Sequence, residues 1–186
     1  MRSEVSFSNG QSRWTMTGIA LLGFLAVTPA QAQVACKLLQ PAELEADLKE
    51  WASGGKATKF SGATDDSGGM SMDTCSSDIV RPTGNLVVAV VVVKNAPMDG
   101  GEAIRTRNAA LAREGQWKVK GAQFEQKTVG KAMCTMYGRP SVPAHSVCAI
   151  PRGNGYVEVE VRAPTQKEMA SMDAVAALVQ KANARL

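Results

Sequence analysis

Leu86 to Val93 reads Leu-Val-Val-Ala-Val-Val-Val-Val, an unbroken apolar run bounded by Gly84-Asn85 on one side and Asn95-Ala96-Pro97 on the other. Branching at Cβ restricts side-chain freedom in a helix and suits the pleated surface of a strand. The run is far short of the roughly 20 residues that cross a bilayer. It also lacks the alternation of a strand with one wet face, so it predicts a central strand covered on both sides. Left exposed, it would be an aggregation site. The rest of the chain therefore has to supply strands beside it and helices above and below it.

The surrounding pattern offers both. Leu38 to Ala52 predicts a helix, with Pro41 near its start, Leu44, Leu48 and Trp51 at helical spacing, and Gly54-Gly55 as its stop. Residues 57–80 predict a hairpin turning at Asp65-Asp66-Ser67-Gly68-Gly69, with Met70 and Met72 sharing one strand face as core-filling residues would. Asp99 can cap a helix running to Glu114, with Gly115 as its stop. Strands are expected within Trp117–Val129, over Met133–Gly138 and from Ser146. The last of these turns through Arg152-Gly153-Asn154-Gly155 into the alternating Tyr156–Val161. Thr165 and Glu168 form a capping box for a C-terminal helix with Met169, Met172, Val175 and Val179 on one stripe. The order of cysteine, turn, strand and helix occurs twice, at Cys75 and again at Cys148, suggesting two ββα-like halves. The fold expected is α+β, an antiparallel sheet flanked by helices.

The first 32 residues read as an export signal. Arg2 and Arg13 precede the apolar Gly18–Val27, and Ala30-Gln31-Ala32 offers a small-residue cleavage site. Residues 33–186 would then form one disulfide-stapled domain, periplasmic or secreted. Cys36 stands close behind the cleavage site, but Gln33 occupies the place where a lipobox carries an apolar residue, which argues against a lipid anchor. Four cysteines can pair in three ways. We expect Cys36–Cys75, tying the first helix to the strand after the hairpin, and Cys134–Cys148, closing a strand–loop–strand segment. A redox pair is disfavoured because no Cys-x-x-Cys is present.

Function is less legible. The chain has 186 residues and a single histidine, which narrows acid–base and metal chemistry from the outset. His145 beside Ser146 permits a serine hydrolase, but no Gly-x-Ser-x-Gly elbow occurs. Met70, Met72, Met133 and Met136 with His145 permit a soft-metal carrier for copper. The acidic turn at Asp65 lacks the terminal bidentate glutamate of a calcium loop. Charge is uneven: residues 41–80 hold eight acidic and three basic side chains, whereas the second half is basic. Lys118, Lys120, Lys127, Lys131, Arg139 and Arg152 form a candidate basic patch for an anionic envelope component or an acidic protein. Aromatic content of 5% and the want of a reader motif argue against nucleic acid.

The segment Cys36-Lys-Leu-Leu-Gln-Pro-Ala-Glu-Leu resembles the opening of a broad class of small exported bacterial proteins of unknown function. Gly130-Lys-Ala-Met-Cys134 and the terminal Ala-Leu-Val-Gln-Lys-Ala-Asn-Ala-Arg-Leu186 also suit that class. The resemblance implies a fold similar to the PsbP type, implies no enzymatic activity and carries over no catalytic residue; no cofactor is expected. The reading that follows is a non-enzymatic exported domain that binds a protein or envelope component. A copper carrier and a serine hydrolase are the alternatives.

Overall fold

The valine run becomes the middle of a broad antiparallel sheet. The computed structural model describes residues 34–114 and 118–186; the expected export signal, Gly115 and Trp117 lie outside the described residues. Eight strands form the sheet: β1 (Lys56–Ala57), β2 (Ser61–Ser67), β3 (Met70–Val80), β4 (Leu86–Lys94), β5 (Gln123–Val129), β6 (Ala132–Gly138), β7 (Ala144–Arg152) and β8 (Gly155–Ala163). Their order is β1-β3-β4-β8-β7-β6-β5, with β2 also on β3. Because β4 occupies one edge of β3 along most of its length, β1 and β2 share the other edge, end to end. The sheet is thus seven strands wide, and β4 pairs with β8 near its centre.

Helices α1 (Pro41–Asp47), α2 (Lys49–Ala52), α3 (Gly100–Arg113) and α4 (Met172–Ala184) complete the fold. Register assigns the two faces of the sheet. Cys75 pairs with Val90, Val90 with Val159, Val159 with Cys148 and Cys148 with Cys134, so all five point the same way. This face carries the main core. Val88, Val90, Val157, Val159 and Val161 meet Val175, Leu178 and Val179 of α4, with Leu39, Leu44 and Leu48 from the N-terminal segment. On the opposite face α3 lies against β7 and β8. Both faces of the valine run are therefore partly or wholly covered, as its composition demands.

The antiparallel α+β expectation holds, and several boundaries differ from those the pattern suggested. The first helix is not continuous. Gln40, extended at φ −109° and ψ 148°, precedes Pro41, because a residue before proline is pushed out of the helical region. Leu38 and Leu39 are thus buried ahead of the helix, the chain leaves helical geometry at Leu48, and left-handed Ser53 and Gly54 end α2. The hairpin turn is tighter than the acidic run suggested. Only Gly68 and Gly69 turn, both at positive φ, the geometry a two-residue hairpin requires, while Asp65 and Asp66 stay on β2. At the C-terminus, Thr165 donates to Glu168 across a single 3-10 turn, Gln166–Glu168, and the helix starts later. Ser171 is its cap, accepting from the Ala174 N–H at 3.2 Å. Asp99 caps α3 as expected, accepting from the N–H groups of Gly101 and Glu102.

Both expected disulfides form, Cys36–Cys75 and Cys134–Cys148. The first staples a 3-10 turn, Ala35–Lys37, onto β3, where buried Asp73 also accepts from the Ala35 N–H at 2.9 Å. The second joins directly opposed residues on β6 and β7. Among the described residues, no helix is long and apolar enough to cross a membrane.

Candidate functional site

At one end of the sheet, on the α3 face, the end of β6, the start of β7, the end of β8 and the start of β4 come together. Tyr137 opposes His145 on the neighbouring strand, and their rings stack with centroids 4.6 Å apart and planes 8° from parallel. His145 Nδ1 lies 2.6 Å from Glu160 Oε1, and Arg162 Nε lies 3.7 Å from Glu160 Oε2. The strand period explains this meeting: Glu158, Glu160 and Arg162 alternate with the core valines of β8 and so share the other face.

Tyr137, His145 and Arg162 border a cleft of about 500 Å³, and Glu160 stands behind the imidazole. Val87, Val142, Pro143 and Pro164 give it apolar walls, and Arg139 and Arg162 bring two guanidinium groups to it. Burial by itself would raise the Glu160 carboxyl. The hydrogen bond and charge of His145, with Arg162 and Arg107, outweigh burial and hold it below the usual carboxylate range. Tyr137 is pushed up to about 12, chiefly by burial and then by the Glu160 charge, so its phenol stays protonated at physiological pH. Glu160 thus anchors the imidazole through Nδ1 at the border of the cleft. An apolar cleft with two guanidiniums and an anchored imidazole is suited to an anion that carries an apolar body.

The anticipated site residues fare unevenly. The basic patch is divided. Lys131 precedes β6 and Arg139 follows it, so they stand at opposite ends of that strand. Lys118 and Lys120 accompany the Arg139 end, where Gly121 lies against Pro140. Arg152, at the other end, is bound to Asn183, and Lys127 is paired with Asp173 at 3.0 Å. Of the six, only Arg139 borders the cleft.

The hydrolase pairing does not assemble. His145 and Ser146 are adjacent on a strand and project to opposite faces. Ser146 is fully buried and donates to the Ala170 carbonyl at 2.6 Å, and Cys148 is oxidised. The copper set is also scattered. Met133 and Met136 face opposite sides of β6, and β3, with Met70 and Met72, lies four strands away. Nor do Met70 and Met72 fill the core: they share a face as expected, but it is the α3 face, and Met72 remains 37% exposed. Among the described residues, no group of three or more His, Cys, Asp or Glu side chains is clustered for a metal.

Tyr137, Glu160 and Arg162 were not singled out by sequence. The signal that could have found two of them is the wet face of β8, where the period of two puts Glu160 and Arg162 next to one another. Comparison of the chain with protein-family models and with curated proteins returns no match.

Proposed function

We propose that the protein is an exported, non-catalytic domain that binds a protein or envelope component through an anionic group, seated in the Arg139–Arg162 cleft. The observation that carries this reading is the combination in one cleft of apolar walls, two guanidiniums and an imidazole anchored by Glu160. A guanidinium recognises a carboxylate or phosphate by paired N–H donation, and the apolar walls stabilise whatever hydrocarbon the anion carries. Export to the periplasm or the medium rests on the signal pattern ending at Ala32. Two disulfides that persist only where thiols are not kept reduced also support it. The resemblance to small exported PsbP-type proteins belongs to the same proposal.

The fluorescent apolar anion 8-anilinonaphthalene-1-sulfonate is a direct probe of such a cleft. Arg139→Ala with Arg162→Ala is expected to weaken its binding by about tenfold, the equivalent of about 1.4 kcal/mol. The loss should shrink as salt is added, since the attraction is screened. Unchanged binding in a folded double variant would remove the cleft from the proposal. Amino-terminal sequencing of the exported chain, expected to begin at Gln33, tests the export half separately.

A further inference from the structure

A second cleft on the same sheet face, at the opposite end of β4 and β8, has a different chemistry. Its volume is about 330 Å³, and three methionines border it. Met70 and Met72 come from β3, where a separation of two residues puts both on one face. Met98 comes from the loop between β4 and α3, so the third thioether reaches the cleft from a different element. Met72 and Met98 are each 37% exposed, which is unusual for a side chain that normally fills cores. We propose that Met70, Met72 and Met98 form a thioether site for a soft monovalent cation, Cu(I) or its redox-inert analogue Ag(I).

Two features of the surroundings favour a cation there. Asp65 on β2 is directly opposite Met72, on the same face of the sheet, and supplies a negative charge beside the thioethers. Arg107, the one cation bordering this cleft among the described residues, is neutralised by its ion pair with Glu158. Competing soft donors among the described residues are few. All four cysteines are in disulfides. Met169 and Met172 are buried, Met136 packs against the core, and His145 is engaged by Glu160 at the other end of the sheet. Thioethers select Cu(I) and Ag(I) over the hard and borderline cations that prefer oxygen or nitrogen. Binding involves no change of oxidation state, and three neutral donors leave the ion its single positive charge.

The test is an NMR titration of the protein, labelled with carbon-13 at the methionine methyl groups, with silver nitrate in chloride-free buffer. The methyl signals of Met70, Met72 and Met98 should shift together and saturate at one equivalent, before those of the other methionines. Met98→Leu, close to isosteric, is expected to weaken binding at least about tenfold, or about 1.4 kcal/mol. Met133→Leu should leave affinity unchanged. Met72→Leu provides a second variant should Met98→Leu fail to fold, as its amide spectrum would reveal. A first equivalent that shifts other methionines, an affinity unaffected by Met98→Leu or Met72→Leu, or no saturable response would each overturn the site. Anaerobic titration with Cu(I) against a chromophoric chelator should give the same ranking of variants.

Discussion

Helices α3 and α4 each follow a β-hairpin in the chain, yet they cover opposite faces of the sheet with very different material. The buried side chains of α4 are Met172, Val175, Ala176, Leu178, Val179 and Ala182, an uninterrupted apolar stripe against the core valines. Those of α3 are only Ile104 and Asn108, together with Gly100 and Gly101 at its start. What α3 lacks in apolar contact it replaces with polar anchoring: Arg107 pairs with Glu158, Gln126 donates to the Asn108 carbonyl, and the Gly100 N–H donates to the Gly153 carbonyl. The two ββα halves are alike in order and unlike in packing. Apolar burial near 25 cal/mol per Å² makes the α4 face the store of stability. The α3 face, held by fewer and more polar contacts, carries both candidate clefts, one at each end of β4 and β8.

The largest test of that division is removal of the disulfides, since both sit on the α4 face. Cys36 and Cys75 are 39 residues apart and Cys134 and Cys148 are 14 apart. Loop-closure entropy predicts losses of about 4 and about 3 kcal/mol for the respective Cys→Ser pairs, read from urea denaturation midpoints. Equal losses would mean that the unfolded chain is already constrained by other contacts. The next effect belongs to α3. Arg107→Ala leaves Glu158 without its ion-pair partner in a site where its side chain is only 12% exposed. The expected loss is about 2 kcal/mol. Amide exchange should separate the helices more sharply still: α3 amides in this variant should exchange through local opening, while α4 amides exchange only with global unfolding. Matching protection in the two helices would refute the contrast.

Strands proved easier to read than faces. The unbroken valines of β4, the alternation of β8 and the Gly153-Asn154 turn each depend on a few neighbouring residues, and the sheet follows from them. Which face a helix covers depends on crossovers outside the hairpins, so nothing local in α3 or α4 declares it. The broken first helix was similarly hidden. Leu44, Leu48 and Trp51 keep a helical period through the break at Leu48, and only backbone geometry reveals it. The Cys134–Cys148 bridge was readable because it joins neighbouring strands of one hairpin, whereas Cys36 meets Cys75 across 39 residues and four intervening elements. The cleft was not readable. It needs Tyr137 from β6, His145 from β7 and both Glu160 and Arg162 from β8, residues whose meeting is set by strand register alone. The basic patch failed for the converse reason: nearness in sequence put Lys131 and Arg139 in one group, and a strand separates them.

The smallest effect concerns how α4 is tied to the N-terminal segment on its own face. Arg185, just beyond α4, forks onto both oxygens of Glu43 at 2.6 and 2.7 Å and also donates to the Leu38 carbonyl at 2.7 Å. The Arg185 hydrogen bonds, with the Gln40 N–H and the Lys181 charge adding to them, overcome burial and lower the Glu43 carboxyl from 4.5 to about 2. A carboxyl depressed in the folded state stabilises the fold above its unfolded value, and that stabilisation drains away as pH falls from about 4.5 through about 2. Because the Arg185 side chain is 40% exposed, solvent screening reduces the pair to about 1 kcal/mol at neutral pH. Arg185→Ala should therefore cost about 1 kcal/mol at pH 7 and almost nothing at pH 2 in urea titrations across that range. A penalty that stays constant with pH would assign Arg185 to packing and to the Leu38 carbonyl rather than to charge.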